Sequence, residues 1–125
     1  MKMYLGIEPF PGTEVGLDTY TFGPAEVTIS HYAQDDIRDG SPAGINIRSI
    51  KVPRDSRRHG HATAAMHEIV AWANATDTVL YLHPEPFDDR PVHERTLRSF
   101  YARFGFRRFE GRIMCRRPAG IARLF

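Results

Sequence analysis

The sequence predicts an α/β (α+β) domain: a mixed, mostly antiparallel twisted sheet with one parallel βαβ unit at its centre. Three observations carry that expectation. Short alternating or wholly apolar runs, bounded by glycine and proline, recur along the chain and read as strands. Two longer stretches repeat apolar residues at helical spacing. From residue 45 onward the two kinds follow one another as strand, helix, strand, helix, strand, the order of a right-handed parallel crossover. At 125 residues the chain is expected to be a single domain over 1–125, with no repeat or linker dividing it.

Met3–Ile7 reads as a short first strand. Glu14–Phe22 and Glu26–Tyr32 follow as strands, the second through its alternating Val27 and Ile29, with Gly23-Pro24 turning one into the other as a hairpin. Gln34–Gly44 is polar and rich in Asp, Gly and Pro, so it is expected to be a loop. The strand Ile45–Val52 breaks strict alternation: Ile45 and Ile47 share one face, Ile50 and Val52 the other. Either one extra residue near Arg48-Ser49 forms a β-bulge and restores a common face, or the strand is buried on both faces.

Ala62, Met66, Ile69, Val70 and Ala73 predict a helix over Gly60–Asn74 with one buried stripe. Thr78–Leu82 is continuously apolar, as a central parallel strand covered on both sides must be. Pro91–Phe104 places Leu97, Phe100, Tyr101 and Phe104 on one helical face, with Pro91 near the start and Gly105 at the stop. Phe106–Phe109 and Arg112–Arg116 then form a closing hairpin around Glu110-Gly111.

Apolar residues make up 42% and charged residues 26%, the balance of an ordinary globular chain. No run approaches the roughly 18 apolar residues of a membrane span. Met1–Glu8 lacks the apolar core and cleavage site of a signal peptide. The single cysteine, Cys115, can form no internal disulfide and suits a reducing cytoplasm; alternating with Ile113, it is expected to be a buried thiol. Net charge is only +2, yet residues 1–47 set Lys2 and Arg38 against seven acids, while residues 91–125 set nine arginines against Glu94 and Glu110. That basic third suits a polyanion such as a CoA tail or a nucleic acid, or is simply a solvated surface.

Arg57-Arg58-His59-Gly60-His61-Ala62-Thr63 is the most informative stretch. A tight turn leading straight into a helix aims several backbone N–H groups at one point, and the helix dipole adds to them, so the turn is suited to an anion. Arg57-x-x-Gly60-x-Ala62 resembles the pyrophosphate-binding turn of the GNAT superfamily, the acetyl-CoA-dependent N-acetyltransferases. Phe100-Tyr101-Ala102-Arg103-Phe104-Gly105-Phe106 resembles that family's helix-to-strand segment. The two lie about forty residues apart with one βα unit between, and the resemblance spans Ile45 to Arg116.

The resemblance implies a GNAT-like fold and a set of roles. Ile50, Lys51 and Val52 would end a strand that splays from its neighbour and pairs with the pantetheine arm. Arg57, Arg58, His59, Gly60, His61, Ala62 and Thr63 would hold the pyrophosphate, with Gly60 and Ala62 small to let phosphate approach the backbone. The plain alternative for Gly60 is a glycine that merely precedes a helix, and for Arg57 and Arg58 an exposed surface position. Tyr101 would meet the departing thiolate as general acid, its ordinary pKa of about 10 keeping it protonated; otherwise it is a core tyrosine. A backbone N–H near Val52 would hold the oxyanion.

The chain departs from the family pattern in three places. Glu94 stands where an asparagine is frequent, seven residues before Tyr101. No carboxylate lies on Ile45–Val52, which leaves His83 and Glu85 as candidate bases or as ordinary loop residues. Residues 9–44 hold no helical stripe, so the acceptor side would be open, formed by loops or by a second subunit of a homodimer. An open groove suits a protein or peptide amine at least as well as a small molecule.

The expected function is therefore transfer of an acetyl group from acetyl-CoA to a primary amine in a ternary complex. The competing reading is a GNAT-fold module that binds CoA with little or no turnover. Nucleic-acid binding is disfavoured, because the aromatics of Leu97–Phe106 lie on the apolar stripe and are not free to stack on bases. No metal is expected: His59, His61, His67, His83 and Cys115 fit no zinc-ligand spacing. The motifs of other nucleotide-binding and hydrolase folds are missing.

Overall fold

A computed structural model describes residues 9–32, 44–56, 59–84 and 94–118; the expected strand Met3–Ile7 and nearly all of the loop Gln34–Gly44 lie outside them. The described strands are β1 (Thr13–Gly16), β2 (Thr19–Phe22), β3 (Ala25–Tyr32), β4 (Gly44–Lys51), β5 (Val79–Leu82), β6 (Arg107–Glu110) and β7 (Ile113–Arg116), joined by helices α1 (His61–Thr76) and α2 (Glu94–Ala102). They form one sheet in the order β1-β2-β3-β4-β5-β7-β6. Only the β4–β5 pair is parallel, so the sheet is mostly antiparallel with a central βαβ unit.

Glu14–Phe22 is two strands rather than one. The chain reverses at Leu17-Asp18, with Asp18 in the left-handed region at φ 56°, which aspartate tolerates better than most residues. β2 and β3 pair as expected across Gly23-Pro24. Gly44, read as loop, begins β4; a Cβ there would collide with the Val79 carbonyl, so its smallness sets the start of the parallel pairing.

The irregularity in β4 is a bulge. Thr28 faces Ser49 and Ile29 faces Ile47, leaving Arg48 as the extra residue. Ile47 and Ile50 therefore lie opposite Ile29 and Val27, all on the core face, and the two-sided alternative is set aside. β5 is buried along its whole length, as its apolar run requires.

α1 starts one residue later than expected, with Gly60 as its cap, and runs on to Thr76. Its buried stripe is Ala65, Met66, Ile69, Trp72 and Ala73, whereas Ala62 and Val70 are half-buried. Trp72 packs edge-on against Phe10 at 5.1 Å, and Phe10 lies 4.8 Å from Tyr20, so the aromatic cluster ties the first hairpin to the helix. α2 is shorter than the pattern suggested: it ends at Ala102, Phe104 falls in the following turn, and Gly105 takes φ 97°. Both helices pack on the same face of the sheet, through a core shared by Ile45, Ile47, Leu80, Leu82, Met66, Ile69, Tyr101 and Phe106.

On β7 the buried positions are Met114 and Arg116; Cys115 is half-buried, not the core thiol its alternation suggested. The reason is phase, since Met114 faces the helices and Cys115 the other side. Arg116 is only 6% exposed. Its Nε donates to the Phe104 carbonyl at 2.7 Å and its Nη2 to Asn74 Oδ1 at 2.9 Å. The guanidinium thus sits between the C-terminal ends of both helices, where the dipoles favour a cation, and pins them to β7.

Candidate active site

The parallel ladder stops early. It runs from Gly44↔Val79 to Ile47↔Leu82, and there β5 ends while β4 continues to Lys51. The continuation pairs with β3 alone, through Thr28↔Ser49, Val27↔Ile50 and Glu26↔Lys51. Beyond Ile47, the side of β4 that had faced β5 carries no strand among the described residues. The bulge at Arg48 marks the branch, and bulges bend and twist the strand that holds them. Ile50 and Val52 are half-buried against the core and Lys51 is exposed.

A crossover helix runs back against its strands, so the N-terminus of α1 lies at the same end of the sheet as the branch. Gly60 adopts φ 77°, ψ 15°, immediately before helical His61. A left-handed residue followed by right-handed ones turns successive N–H groups into a concave nest for anions. The first intrahelical bond is Ala64 N–H to the Gly60 carbonyl at 2.9 Å, which leaves the N–H groups of His61, Ala62 and Thr63 outside the helix's own ladder. The cap offers no side-chain acceptor, and the first turn contains no acid. A Cβ built on Gly60 meets nothing within 4 Å, so the space beside the nest is open. His59 is exposed, His61 half-buried, and their rings lie 6.1 Å apart across Gly60. Arg57 and Arg58 lie outside the described residues.

His83 follows β5 directly and is half-buried, beside fully buried Pro84; Glu85 lies outside the described residues. Tyr101 is 3% exposed on α2, with Phe100 at 5.2 Å and Phe106 at 6.0 Å, both edge-on. Burial pushes its phenol up to about 12. An unfolded tyrosine ionises near 10, so the proton's stabilising contribution is complete below that pH and is lost as pH rises towards 12. Between those limits the native chain should lose roughly 2–3 kcal/mol that a Tyr101→Phe variant does not. Denaturant unfolding of the two at pH 9 to 12 measures this; a constant difference would show that the phenol is not held this way.

The structure thus gathers Ile50–Val52, His59–Thr63 and His83 at one end of the sheet. The sequence reading missed Arg116, and it had the splayed strand end only as what the family resemblance implied, not from the residues themselves. A buried arginine could have been suspected from its phase with Met114, but where two strands part depends on which pairs form, and no local signal carries that. Among the described residues no three His, Cys, Asp or Glu side chains come together. The apolar groove between Pro9–Gly12 and the Glu68–Ala75 side of α1 contains none of the residues named for chemistry.

The architecture matches solved structures. The anti-CRISPR protein AcrVA5 superposes with a TM-score of 0.55 at 18% identity, over 78% of this chain and 94% of that one. The fold is the GNAT fold. AtaTR bound with AcCoA (TM-score 0.46, 15% identity) and the KacTA–DNA complex (TM-score 0.46, 11% identity) align over 73% and 74% of this chain. The chain spans only 55% and 56% of those two. No protein-family model matches the sequence, and no curated protein does. No helix among the described residues is long and apolar enough to cross a membrane.

Proposed function

We propose that this protein is an N-acetyltransferase that moves an acetyl group from acetyl-CoA to a primary amine. The observation that carries the reading is the meeting, at one end of the sheet, of the β4–β5 branch and the nest at Gly60. A branch offers one strand edge to an extended amide-bearing arm. The nest offers several N–H donors to an anion at the distance of a helix end. Pyrophosphate joined to pantetheine has both features, and bound acetyl-CoA would supply an activated thioester carbonyl.

In this reading the N–H groups of Gly60, His61, Ala62 and Thr63 hold the pyrophosphate, aided by His59, Arg57 and Arg58, while Ile50, Lys51 and Val52 line the arm. This reading sets the Tyr101 phenol, on a helix whose side chains tilt toward its N-terminus, at the thioester. Its O–H meets the sulfur as the carbon–sulfur bond breaks. His83, or Glu85, removes the proton that the attacking amine must lose. The chain works in the cytoplasm.

A CoA-binding module without turnover is the second reading. It is favoured by the two-residue link between β1 and β2, which leaves no helix there to shape an acceptor groove, and by the lack of any carboxylate on β4. Calorimetry with acetyl-CoA, followed by thiol release against a panel of amines, peptides and proteins, separates the two. Binding with transfer supports the enzyme, binding without transfer the module, and no binding refutes both. If His83 is the base, acetyl transfer should slow strongly in His83→Ala and less in Glu85→Ala. Parental rates in both variants and in the double variant would show that neither residue is the base.

A further inference from the structure

The half of β4 beyond the branch carries a cation that the donor site does not use. Arg48 is the extra residue of the bulge, so no β3 residue stands opposite it. It is exposed, and among the described residues no carboxylate lies within ion-pair distance of it. Lys51 also projects from this half of the strand, directly across from Glu26 in the β3–β4 register. Arg48 thus sets a positive charge with no ion-pair partner among the described residues where β4 and β5 part.

Its surroundings decide what that charge can meet. Ile47 and Ile50 face the core and both helices, whereas Ser49 faces the opposite side together with its partner Thr28. Farther along that face Asn46 Nδ2 donates to Ser30 Oγ at 3.3 Å. Arg48 thus borders a row of half-buried neutral hydrogen-bonding groups: Thr28, Ser30, Asn46 and Ser49. A phosphate backbone asks for a track of cations. One guanidinium among hydroxyls and an amide instead suits one carboxylate flanked by peptide groups, which it grips with two parallel N–H bonds.

The donor reading sets the direction of approach, and this inference rests on it. α1 packs on the core face, so a donor held at its N-terminus enters the branch from that side. The amine must then reach the thioester carbon from the other face, past Arg48. We propose that Arg48 is a specificity residue for the acceptor, selecting lysines in acidic peptide segments. A carboxylate one or two residues from the acceptor, about 3–7 Å along an extended chain, would meet the guanidinium.

The test uses the full chain, saturating acetyl-CoA, and pairs of lysine-centred peptides whose flanking Asp and Glu are replaced by Asn and Gln. The acidic member should have the lower KM, by roughly 3–10-fold at low salt, and the advantage should shrink as salt rises. Arg48→Gln should erase it and Arg48→Glu reverse it, with acetyl-CoA affinity by calorimetry the same in all three proteins. Equal KM values for each pair, or a preference that survives Arg48→Gln, would overturn the proposal and leave Arg48 as a charge that guards an unpaired strand edge. Intact acetyl-CoA binding with no peptide acetylated, or faster transfer to an amine-bearing oligonucleotide than to any peptide, overturns it while sparing the donor site. Failure to bind acetyl-CoA removes the donor reading and this inference together.

Discussion

Gly60→Val should abolish acetyl-CoA binding while leaving the fold in place. The nest contributes several backbone N–H bonds to a charged group, each worth about 1.5–3 kcal/mol. Losing even two would weaken binding at least about 100-fold. Among the described residues none beyond its own neighbours in the chain comes within 4 Å of where the new Cβ would sit, so the side chain enters the space the phosphate needs. Strain acts separately: at φ 77° a β-branched residue is disfavoured, by about 1–2 kcal/mol or more. Gly60→Asn distinguishes the two, since asparagine tolerates the left-handed region yet still fills the space. Calorimetry should show affinity lost in both variants, with thermal stability lowered mainly in Gly60→Val. Unchanged affinity in Gly60→Val would remove the phosphate assignment.

Tyr101→Phe should keep acetyl-CoA affinity and cut turnover by roughly 10²–10³-fold. The substitution keeps the ring against Phe100 and Phe106 and deletes only the hydroxyl. Burial sharpens what that hydroxyl can do. With its pKa near 12, the phenol is protonated at every working pH, but complete transfer to a thiolate of pKa about 8.5 is uphill by some three units. Its contribution is then a hydrogen bond that strengthens as charge gathers on sulfur, with the proton arriving later from solvent or the amine. Single-turnover acetyl transfer measures the loss; a full-rate variant would return Tyr101 to a packing role.

Apolar pattern was enough for the elements that bury much of their surface. α1 and β3 stand where helical spacing and alternation put them, and β5 where its continuous apolar run put it, because apolar burial dominates their energetics. The break in alternation on β4 left two readings open, and the pairing with β3 decided for the bulge, which lets Ile47 and Ile50 share the core face. Short, exposed elements were not legible this way. β1 is exposed at all four positions, so nothing in its pattern separated it from β2, and only the conformation of Asp18 shows the turn. Cys115 is half-buried, not buried as expected, because a four-residue strand has too few apolar residues to fix its phase.

By itself, then, the sequence determined the order of elements from β3 onward, most of the buried stripes, and the turn at Gly60 that precedes a helix, all properties carried by neighbours along the chain. Tertiary structure alone decided where β4 and β5 part, that Gly60 and the end of β4 share one end of the sheet, and that Arg116 holds two helix ends together. Those features depend on pairings between residues tens of positions apart, whose energies arise only when the whole sheet forms.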